Sequence, residues 1–415
     1  MFTYITRREY LYFAISIILI FIVSEILIFT GVPTILFYLV LAYFVVVNIY
    51  ILYIKTRKLD ILHPKYSISE YPKISVIVPS HEGDNKRRVY QVVKRVLYEQ
   101  TYPKDKIEVL FMWTGKRLVN IKDARIRYYK VKDRIEAMNK GIELAQGDII
   151  GFVDSNTLIC TDALRYVAGY FEKYKDICCV QGVRIIDRNG NKGCVAQISY
   201  SNWMYIFEDK LKKTSFNGFV NFSGSNGWWK KEIISKYKFR GIQHTQTEDI
   251  DASIRVITNE NNRIIITPLV YSHDLPPRNF RGLIRQRIRW SQGWLESFVI
   301  NIKNILRNNY YCKKDLTFLL FLTLVSPVAN ILCWSILLSW LFLYVTGFSG
   351  INFLGTFLLF VNFIVGGTMF AYGTPKERLI YFIVSPLYHF LFSLFALSGT
   401  IKLLLKDRTW FKSIK

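Results

Sequence analysis

Long apolar stretches lie at both ends of the chain, and short apolar runs separated by polar segments fill its middle. The long stretches are nearly free of charge, and each is long enough to cross a hydrocarbon core of about 30 Å as a helix. They are residues 10–30, 33–54, 316–346, 351–372 and 379–401. The pattern predicts membrane-spanning helices on both sides of a polar domain.

The first two stretches are predicted to form a transmembrane hairpin, residues 1–55. Arg7 and Arg8 precede its first apolar stretch and basic residues follow its second from Lys55 on, whereas its turn at Thr30-Gly31-Val32 carries no charge. Since basic residues accumulate on the cytoplasmic side of membranes, we expect both ends of the hairpin, and the domain after it, in the cytoplasm. A cleaved signal peptide is the alternative interpretation, but no small-residue cleavage site is present and a second apolar stretch follows at once.

The C-terminal transmembrane region is predicted over residues 315–404, with the number of spans left open. Pro327 interrupts the stretch 316–346, and we expect it to divide an interfacial or re-entrant piece from a true span. Three spans would leave the tail, residues 405–415, outside the cell. The tail is basic, which favours the cytoplasm instead.

Residues 56–277 are predicted to form a cytoplasmic α/β domain. Three apolar runs in it are typical of buried strands, and Pro79 is expected to end the first of them. The runs are residues 74–78, 107–113 and 147–154. Residues 134–146, between the second and third runs, have the pattern of a helix. Strands that alternate with helices indicate a largely parallel sheet, and ligands of such sheets bind at the carboxyl ends of the strands.

Polar residues follow each of these runs and therefore belong to the expected binding edge. They are Ser80-His81-Glu82, Trp113-Thr114-Gly115 and Asp154-Ser155-Asn156. A carboxylate at the end of an apolar strand, as at Asp154, is costly unless it binds a metal ion or hydrogen-bond donors. An aspartate that only opens a turn is the alternative.

Two later segments are further candidates for a binding site. Residues 221–229, NFSGSNGWW, contain small residues that permit close backbone approach, although an ordinary loop also fits them. In TEDIDASIR, residues 247–255, Glu248 and Asp249 stand at a predicted helix start. Acids at that position also complement the helix dipole, so a purely structural role is the alternative.

Composition adds a strong positive charge to this pattern. The 415 residues are 51% hydrophobic and carry a formal net charge of +24. A basic chain could bind nucleic acid, but the basic residues cluster at the membrane-facing ends and around residues 278–289, and no nucleic-acid motif is present. Anionic lipid and phosphate account for the charge more simply. The six cysteines have no metal-type spacing and are expected to be thiols.

Residues 278–314 are predicted to form amphipathic helices at the membrane surface. The segment RQRIRW, residues 285–290, brings three arginines, a glutamine and a tryptophan together. Downstream, apolar residues recur at helical spacing. They are Leu295, Phe298, Val299, Ile302, Ile305 and Leu306. Contact with anionic lipid is one interpretation of the arginines, and a role in chemistry is the other.

The order of these motifs resembles that of the membrane-integrated, inverting family-two glycosyltransferases, which include cellulose, chitin and hyaluronan synthases and ceramide glucosyltransferases. The resemblance rests on ISVIVPS, RIEAMNKGIELAQGDIIGFVDSN, FSGSN, TED and QRIRW, in this order. It implies an α/β domain with a GT-A-like, largely parallel sheet flanked by transmembrane helices. It also implies a nucleotide-sugar donor, expected to be a UDP-sugar, and a divalent cation, Mg²⁺ or Mn²⁺.

The resemblance implies roles for the residues that match. Asp154 would stand in the Asp-x-Asp motif, whose metal ion holds the donor diphosphate. Asp249, with Glu248 before it, would be the general base that deprotonates the acceptor hydroxyl. The Ser223-Gly224-Ser225 segment would adjoin the acceptor.

The motif Gln-x-x-Arg-Trp is matched by Gln286, Arg289 and Trp290. In the family this motif binds the diphosphate and the acceptor sugar. Arginines can stabilise the negative charge that develops on a departing diphosphate, and an indole offers a sugar an apolar face. Arg134 matches a basic position that contacts the diphosphate in relatives, although a solvated residue at a helix start is an equal alternative.

Three departures from the family pattern affect the donor side. Asn156 replaces the second acid of Asp-x-Asp, and a neutral ligand should weaken metal binding. Trp113-Thr114 replaces an Asp pair that contacts the base. Pro79, Ser80 and Glu82 stand in the segment PSHEGD, where Pro-x-Tyr-Asn-Glu is usual.

The resemblance leaves three functions open. The leading one is a processive synthase in the cell membrane that extends a polysaccharide and passes it through its own helices. The tail segment TWFKSIK, with Trp410 and Lys412, is similar to a gating segment of hyaluronan synthases. The second is the transfer of one sugar to a membrane lipid. The third, from another class, is a membrane protein that binds nucleotide sugar or polysaccharide without turnover.

Overall fold

The computed structural model describes residues 6–30, 34–117, 119–187, 194–345 and 375–407. These residues divide into two compact units. The globular unit consists of the described residues within Lys58–Leu283 and Ser297–Thr317. The helical unit consists of those within Met1–Arg57, Ile284–Glu296 and Phe318–Phe411.

The globular unit contains a mixed sheet in which eight strands are described. They are β1 Ile74–His81, β2 Ile107–Thr114, β3 Ile126–Lys130, β4 Ile149–Phe152, β5 Leu158–Ile159, β6 Ile177–Ile186, β7 Gly227–Lys230 and β8 Arg263–Asp274. Their order across the sheet is β3-β2-β1-β4-β7-β6-β8-β5. The three neighbouring pairs from β3 to β4 are parallel, as is β6 with β8, whereas β7 and β5 run antiparallel to their neighbours. The sheet is therefore less uniformly parallel than the alternation of strands and helices predicted.

Twelve α-helices lie in the described part of the chain. They are α1 Thr6–Thr30, α2 Thr34–Thr56, α3 Lys86–Tyr98, α4 Arg134–Leu144, α5 Ala163–Lys173, α6 Cys194–Ser215, α7 Lys231–Ile234, α8 Glu248–Glu260, α9 Phe280–Ile300, α10 Ile302–Arg307, α11 Lys313–Val345 and α12 Pro375–Leu404. The predicted helix at residues 134–146 corresponds to α4. Its first turn is capped because the Asp133 carboxylate accepts a hydrogen bond from the Glu136 N–H at 2.8 Å.

The three predicted strands are β1, β2 and β4, and their apolar side chains are buried. The expected end of the first strand at Pro79 is wrong, because β1 continues to His81. It pairs with β2 along its whole length but with β4 only as far as Ile77. Beyond Ile77 one edge of β1 has no partner strand among the described residues, and a proline, which lacks an N–H, is tolerated at such an edge.

The centre of the sheet is closely packed around a buried tryptophan. The ring of Trp228 on β7 lies against Gly151 on β4, so closely that a Cβ atom at residue 151 would be 2.2 Å from the ring. Only glycine fits there. Trp228 and Trp229 are both fully buried. This contact fixes β4, the strand that leads to Asp154.

The helical unit contains α1, α2, α12, the middle of α9, and α11 from Phe318 on. Among the residues that the structure describes, Tyr38–Thr56 and Lys313–Ser339 are long and apolar enough to cross a membrane. Shorter apolar segments lie at Ala14–Ile28 and Phe390–Leu404. The predicted span at residues 351–372 lies outside the described residues, as do Gly31 and Val32 of the predicted turn, whereas Thr30 ends α1.

Serine hydroxyls join helices inside this unit. The Oγ atoms of Ser16 on α1 and Ser398 on α12 are 2.9 Å apart, and Ser335 Oγ on α11 donates to the Ile20 carbonyl at 3.1 Å. The expected division at Pro327 is wrong, since this residue lies inside the continuous helix α11. Apolar helices of this length tolerate the loss of one backbone hydrogen bond at a proline.

The predicted amphipathic helix after residue 290 is divided into two helices, α9 and α10, at Asn301. Phe298 and Ile305 are fully buried, whereas Val299 and Leu306 are exposed. Phe298 packs within the globular unit, where its ring centroid is 6.4 Å from that of Phe219. The buried part of the apolar pattern therefore follows from packing on the globular unit.

Five cysteines whose side chains the structure describes are buried thiols without disulfides. They are Cys160, Cys178, Cys179, Cys312 and Cys333. In the globular unit, burial raises the pKa of the Cys160, Cys178 and Cys179 thiols, and it raises the pKa of Cys312 to about 12. Deprotonation of these thiols is therefore suppressed at neutral pH.

Candidate active site

The ends of β1 and β4 lie side by side, because these strands are parallel neighbours. Asp84, in the turn after β1, connects the two ends. Its Oδ2 atom accepts hydrogen bonds from the His81 N–H at 2.8 Å and from the Ser155 hydroxyl at 2.6 Å. The sequence analysis missed Asp84, although an acid in a turn after a strand was a usable signal.

Arg134, the first residue of α4, links three of the predicted motifs. Its Nη1 atom is 2.5 Å from Asp154 Oδ1, and its Nε is 2.9 Å from Glu248 Oε1. Its Nη2 donates to the Gly224 carbonyl at 2.6 Å. Burial alone would lower the pKa of this guanidinium, but the Asp154 and Glu248 carboxylates raise it above its ordinary value. The cation therefore holds together the end of β4, the start of α8 and residues 222–225, the FSGS segment.

Asp249 lies beside Gly224. Gly224 has a φ of +77°, and a Cβ atom at this position would be 3.1 Å from Asp249 Oδ2. The glycine thus permits both the left-handed conformation and the close approach of the carboxylate. Asp249 Oδ1 also accepts from the Ile250 N–H at 3.0 Å, in the first turn of α8, where the helix dipole favours negative charge.

Ser223 is held at each of its polar groups. Its N–H donates to Gln181 Oε1 at 2.8 Å, and its carbonyl accepts from Arg184 Nη1 at 2.8 Å. Its hydroxyl oxygen accepts from Lys210 Nζ at 2.7 Å. Three side chains from β6 and α6 therefore fix the segment that leads to Gly224.

Ser225 faces the interior. It is fully buried, and its hydroxyl oxygen accepts from the Asp154 N–H at 2.8 Å while bonding to Thr157 at 3.1 Å. These contacts tie the FSGS segment to the turn after β4. Ser225 therefore supports the position of Asp154.

A buried ion pair lies behind Ser223. Arg184 donates to Asp274 Oδ2 from Nε at 2.9 Å and from Nη2 at 2.5 Å, and the Asp274 side chain is fully buried. The Arg184 guanidinium also lies 4.8 Å from the centre of the Trp203 ring. The pair joins the ends of β6 and β8, and no sequence motif indicated it.

Lys210 is a second buried cation near the acceptor motif. Besides Ser223, its amine contacts the Asn221 carbonyl at 3.3 Å. Burial lowers the pKa of this amine to about 7, and the charge of Asp249 opposes part of that shift. Sequence reasoning missed this residue, since a lysine within a helix carries no distinguishing signal.

Glu82 and the residues that end β2 form the outer part of the strand-end loops. Glu82 Oε2 accepts from the Lys116 N–H at 3.3 Å, and a Cβ atom at Gly115 would be 2.4 Å from this oxygen. Thr114 Oγ1 is buried without a hydrogen-bond partner in the described ranges. Trp113 packs edge-on against Tyr128, with ring centroids 6.4 Å apart.

The metal ligands expected from the resemblance are few. Among the described residues, no cluster of three or more His, Cys, Asp or Glu side chains could hold a metal ion. Asp154 supplies one carboxylate, and Asn156 supplies an amide. The Nδ2 atom of this amide is buried and has no hydrogen-bond partner among the described residues. With so few protein ligands, a cation at this place would have to take most of its oxygen ligands from a bound diphosphate, as Mg²⁺ does.

Gln286, Arg289 and Trp290 lie on α9, in the part that belongs to the helical unit. Gln286 is buried, and the neighbouring Arg287 guanidinium lies 4.5 Å from the centre of the Trp290 ring. The structure thus brings together Asp154, Glu248, Asp249 and the FSGS segment in the globular unit. The meeting of this group with Arg289 and Trp290 stays a prediction.

The mixed sheet with acids at its strand ends is the arrangement expected of a GT-A-like fold. Residues 149–395 match the family model described as glycosyl transferase family group 2. This match covers more than half of the chain, and the chain belongs to this family. The sequence-based resemblance and the expected fold are confirmed.

Two curated relatives are similar over part of the chain. Poly-beta-1,6-N-acetyl-D-glucosamine synthase of Staphylococcus aureus is 26% identical over 212 residues, which are 51% of this chain and 48% of that protein. The probable glycosyltransferase YdaM of Bacillus subtilis is 24% identical over 249 residues, or 55% of this chain and 57% of that protein. The chain spans about half the length of the curated relatives it matches.

A solved structure is similar over almost the whole chain. It is the mannosyltransferase PcManGT from Pyrobaculum calidifontis in complex with GDP-Man and Mn²⁺. The TM-score is 0.60 at 16% identity, and the alignment covers 90% of this chain and 97% of that one. At this identity the similarity establishes the fold.

Removing the Arg134 cation should destabilise the globular unit. Arg134→Gln leaves the Asp154 and Glu248 carboxylates without the cation that they share. We expect the free energy of unfolding to fall by about 1–3 kcal/mol, less than for a fully buried ion pair because the side chain is partly exposed. Neutralising both acids in Arg134→Gln/Asp154→Asn/Glu248→Gln should recover part of it. Thermal unfolding measures both effects. The control is Arg127→Gln, which removes a pair with the single acid Glu108. A stability of Arg134→Gln equal to that of the wild type would refute the bridging role.

Proposed function

We propose that this enzyme transfers a sugar from a nucleoside-diphosphate sugar to a carbohydrate acceptor with inversion at the anomeric carbon. One observation carries the proposal: the Arg134 guanidinium contacts Asp154, Glu248 and the Gly224 carbonyl, so that donor-side and acceptor-side motifs share one cation. Three sequence motifs that resemble those of family-two enzymes therefore meet in one place.

On the donor side, the proposed ligand is the diphosphate. Arg134 supplies a guanidinium that contacts Asp154 after β4, and Gln286 and Arg289 are proposed, from the resemblance, as further donors to the diphosphate. Guanidinium groups bind phosphate oxygens in a bidentate manner and stabilise the charge that develops on the leaving group. Pro79 and Ser80, at the end of β1, would border the nucleoside. The expected UDP-sugar is one candidate donor, and a different base is equally compatible with Trp113-Thr114.

On the acceptor side, Asp249 is the proposed general base. The acceptor oxygen forms a bond to the anomeric carbon while the bond from that carbon to the diphosphate breaks, and the hydroxyl proton passes to the Asp249 carboxylate. Glu248 is bound to Arg134 and so would orient the start of α8. Gly224 borders the carboxylate, and Ser223 and Trp290 are proposed to contact the acceptor sugar, with the indole stacking on it.

A divalent cation is proposed for the donor site. Asp154 and Asn156 would hold it together with the diphosphate oxygens, and it would supply positive charge to the leaving group. The Mn²⁺ in the complex of the similar mannosyltransferase supports this proposal.

The proposed product is a polysaccharide. The similarity to poly-beta-1,6-N-acetyl-D-glucosamine synthase supports a polymer, over about half of each protein. The alternative, one sugar added to a membrane lipid, stays open from the sequence, because the similarity to the mannosyltransferase concerns the fold. Family membership favours either enzyme over a binding protein without turnover.

We further propose that the protein is integral to the cell membrane, with its globular unit in the cytoplasm and lipids as partners. Two apolar segments, Tyr38–Thr56 and Lys313–Ser339, support membrane association. The basic residues that flank the first hairpin support the orientation.

A screen of nucleotide sugars tests the function. Full-length protein in detergent is incubated with each labelled donor, with and without Mg²⁺ or Mn²⁺, and nucleoside diphosphate release and product size are measured. We expect release with one donor class and a product of many sugar units. A product that stops at one sugar on a lipid would contradict the polymer, and no release with any donor would contradict the enzyme.

Asp249→Asn should remove the base and keep the donor site. We expect nucleoside diphosphate release to fall by about 10²–10⁴-fold, since proton transfer by a positioned base contributes on that order. Nucleoside diphosphate binding, measured by calorimetry, should not change. Glu260→Gln, at the other end of α8, is the control and should keep full activity. An Asp249→Asn enzyme with wild-type release would exclude this residue as the base.

Asn156→Asp should strengthen metal binding. A second carboxylate beside Asp154 adds a charged ligand, and we expect the Mn²⁺ concentration for half-maximal binding to fall about tenfold in the presence of nucleoside diphosphate. Calorimetric titration of Mn²⁺ measures this change. Asn259→Asp, near the end of α8, adds the same charge elsewhere and should leave Mn²⁺ binding as in the wild type. Equal effects of the two substitutions would contradict a cation at residue 156.

A further inference from the structure

Lys210 lies between the FSGS segment and the interior of the globular unit. It is 8% exposed, and its amine donates to the Ser223 hydroxyl oxygen at 2.7 Å and to the Asn221 carbonyl at 3.3 Å. Ser223 precedes Gly224, the residue that borders the Asp249 carboxylate. The lysine thus binds the residue that precedes the glycine beside the proposed base.

Charged groups from three elements act on the Lys210 amine. They are Asp249 on α8, Arg184 on β6, and Asp209 and Lys213 on its own helix α6. The Asp249 carboxylate is the largest of the charges that favour the protonated amine. An uncompensated lysine in this position is costly to the fold, so a hydrophobic residue would be the more stable choice.

The protonation state of Lys210 determines the direction of the Ser223 hydroxyl. An ammonium group has donors only, so it binds the hydroxyl oxygen and leaves the hydroxyl hydrogen free to point away. A neutral amine has a lone pair and can accept that hydrogen instead. The Ser223 backbone cannot rotate to compensate, because its N–H and carbonyl are bound to Gln181 and Arg184.

We propose that Lys210 is a positioning residue of the acceptor site: its ammonium group directs the Ser223 hydroxyl hydrogen toward the acceptor beside Asp249, and the reaction requires the protonated form. The inference rests on the proposed function. The ligand that the hydroxyl would meet is an oxygen atom of the acceptor sugar.

This role predicts a loss of activity at alkaline pH. Burial lowers the pKa of Lys210 to about 7, so the amine loses its proton within the range in which the enzyme can be assayed. The apparent kcat/KM for the acceptor should therefore fall as the pH rises through about 7. The alkaline decline should appear in kcat/KM for the acceptor, because Ser223 lies on the acceptor side of the proposed site.

Lys210→Met keeps the length of the side chain and removes the titrating group. We expect kcat/KM for the acceptor at pH 6 to fall about tenfold, the effect of one hydrogen bond, and the alkaline decline to disappear. Ser223→Ala should lose the decline as well, and the double variant should be no slower than Ser223→Ala alone. Lys212→Met, on the same helix, removes an amine that pairs with Glu208 and should keep the wild-type profile.

Stability gives a readout that does not depend on activity. The pKa of the unfolded lysine is near 10.5, above the folded value of about 7. The cost of the buried charge is therefore fully present below pH 7 and declines as the pH rises from about 7 to about 10.5. Lys210→Met should raise Tm relative to the wild type more at pH 6 than at pH 9.

The outcomes separate the two proposals. If the wild type releases no nucleoside diphosphate from any donor, the proposed function fails and the role of Lys210 fails with it. If the wild type is active but Lys210→Met keeps the alkaline decline, or has wild-type kcat/KM for the acceptor at pH 6, only the role of Lys210 is overturned. A variant that is more stable at pH 6 and also slower, without the decline, supports the inference.

Discussion

The guanidinium of Arg134 joins three segments that are far apart along the chain. Asp154 follows β4, Glu248 is the first residue of α8, and Gly224 lies in the loop before β7. Each of them contacts a different nitrogen atom of the Arg134 side chain. Two acids in a partly buried cleft would repel each other without a cation between them. The same positive charge would be available to a diphosphate, because a planar guanidinium matches phosphate oxygens as well as carboxylates. The guanidinium–carboxylate contacts that organise this site therefore resemble the guanidinium–phosphate contacts that a donor would make.

The parts of the fold that follow from local sequence were predictable. The apolar run at residues 107–113 forms β2, and the acids of TED stand at the start of α8. Both patterns are local, since burial on two faces requires a continuous apolar run and a helix start favours negative charge. The position of Asp154 also followed from a local rule, because the carboxyl ends of parallel strands meet at one edge.

The remaining features depend on contacts that no local pattern records. Strand β1 continues through Pro79 because its neighbour β4 ends earlier. Pro327 lies within helix α11, and the local sequence does not show which helices pack beside it. The Arg184–Asp274 pair joins two strands whose adjacency appears only in the folded sheet. Lys210 looks like any helical lysine until burial and its contact with Ser223 are known. Each is a tertiary effect that overrides or adds to local preference.

The burial of the thiols has a practical consequence for labelling. A thiol reacts with maleimides and similar electrophiles as the thiolate, and reagents must also reach the sulfur atom. The five described cysteines are enclosed, and four of them are in the globular unit with raised pKa values. A cysteine introduced at an exposed position, with Cys194 replaced by serine, should therefore take up a fluorophore selectively while these five stay native. With two such cysteines, energy transfer between the fluorophores would measure whether the distance between the labelled positions changes during turnover.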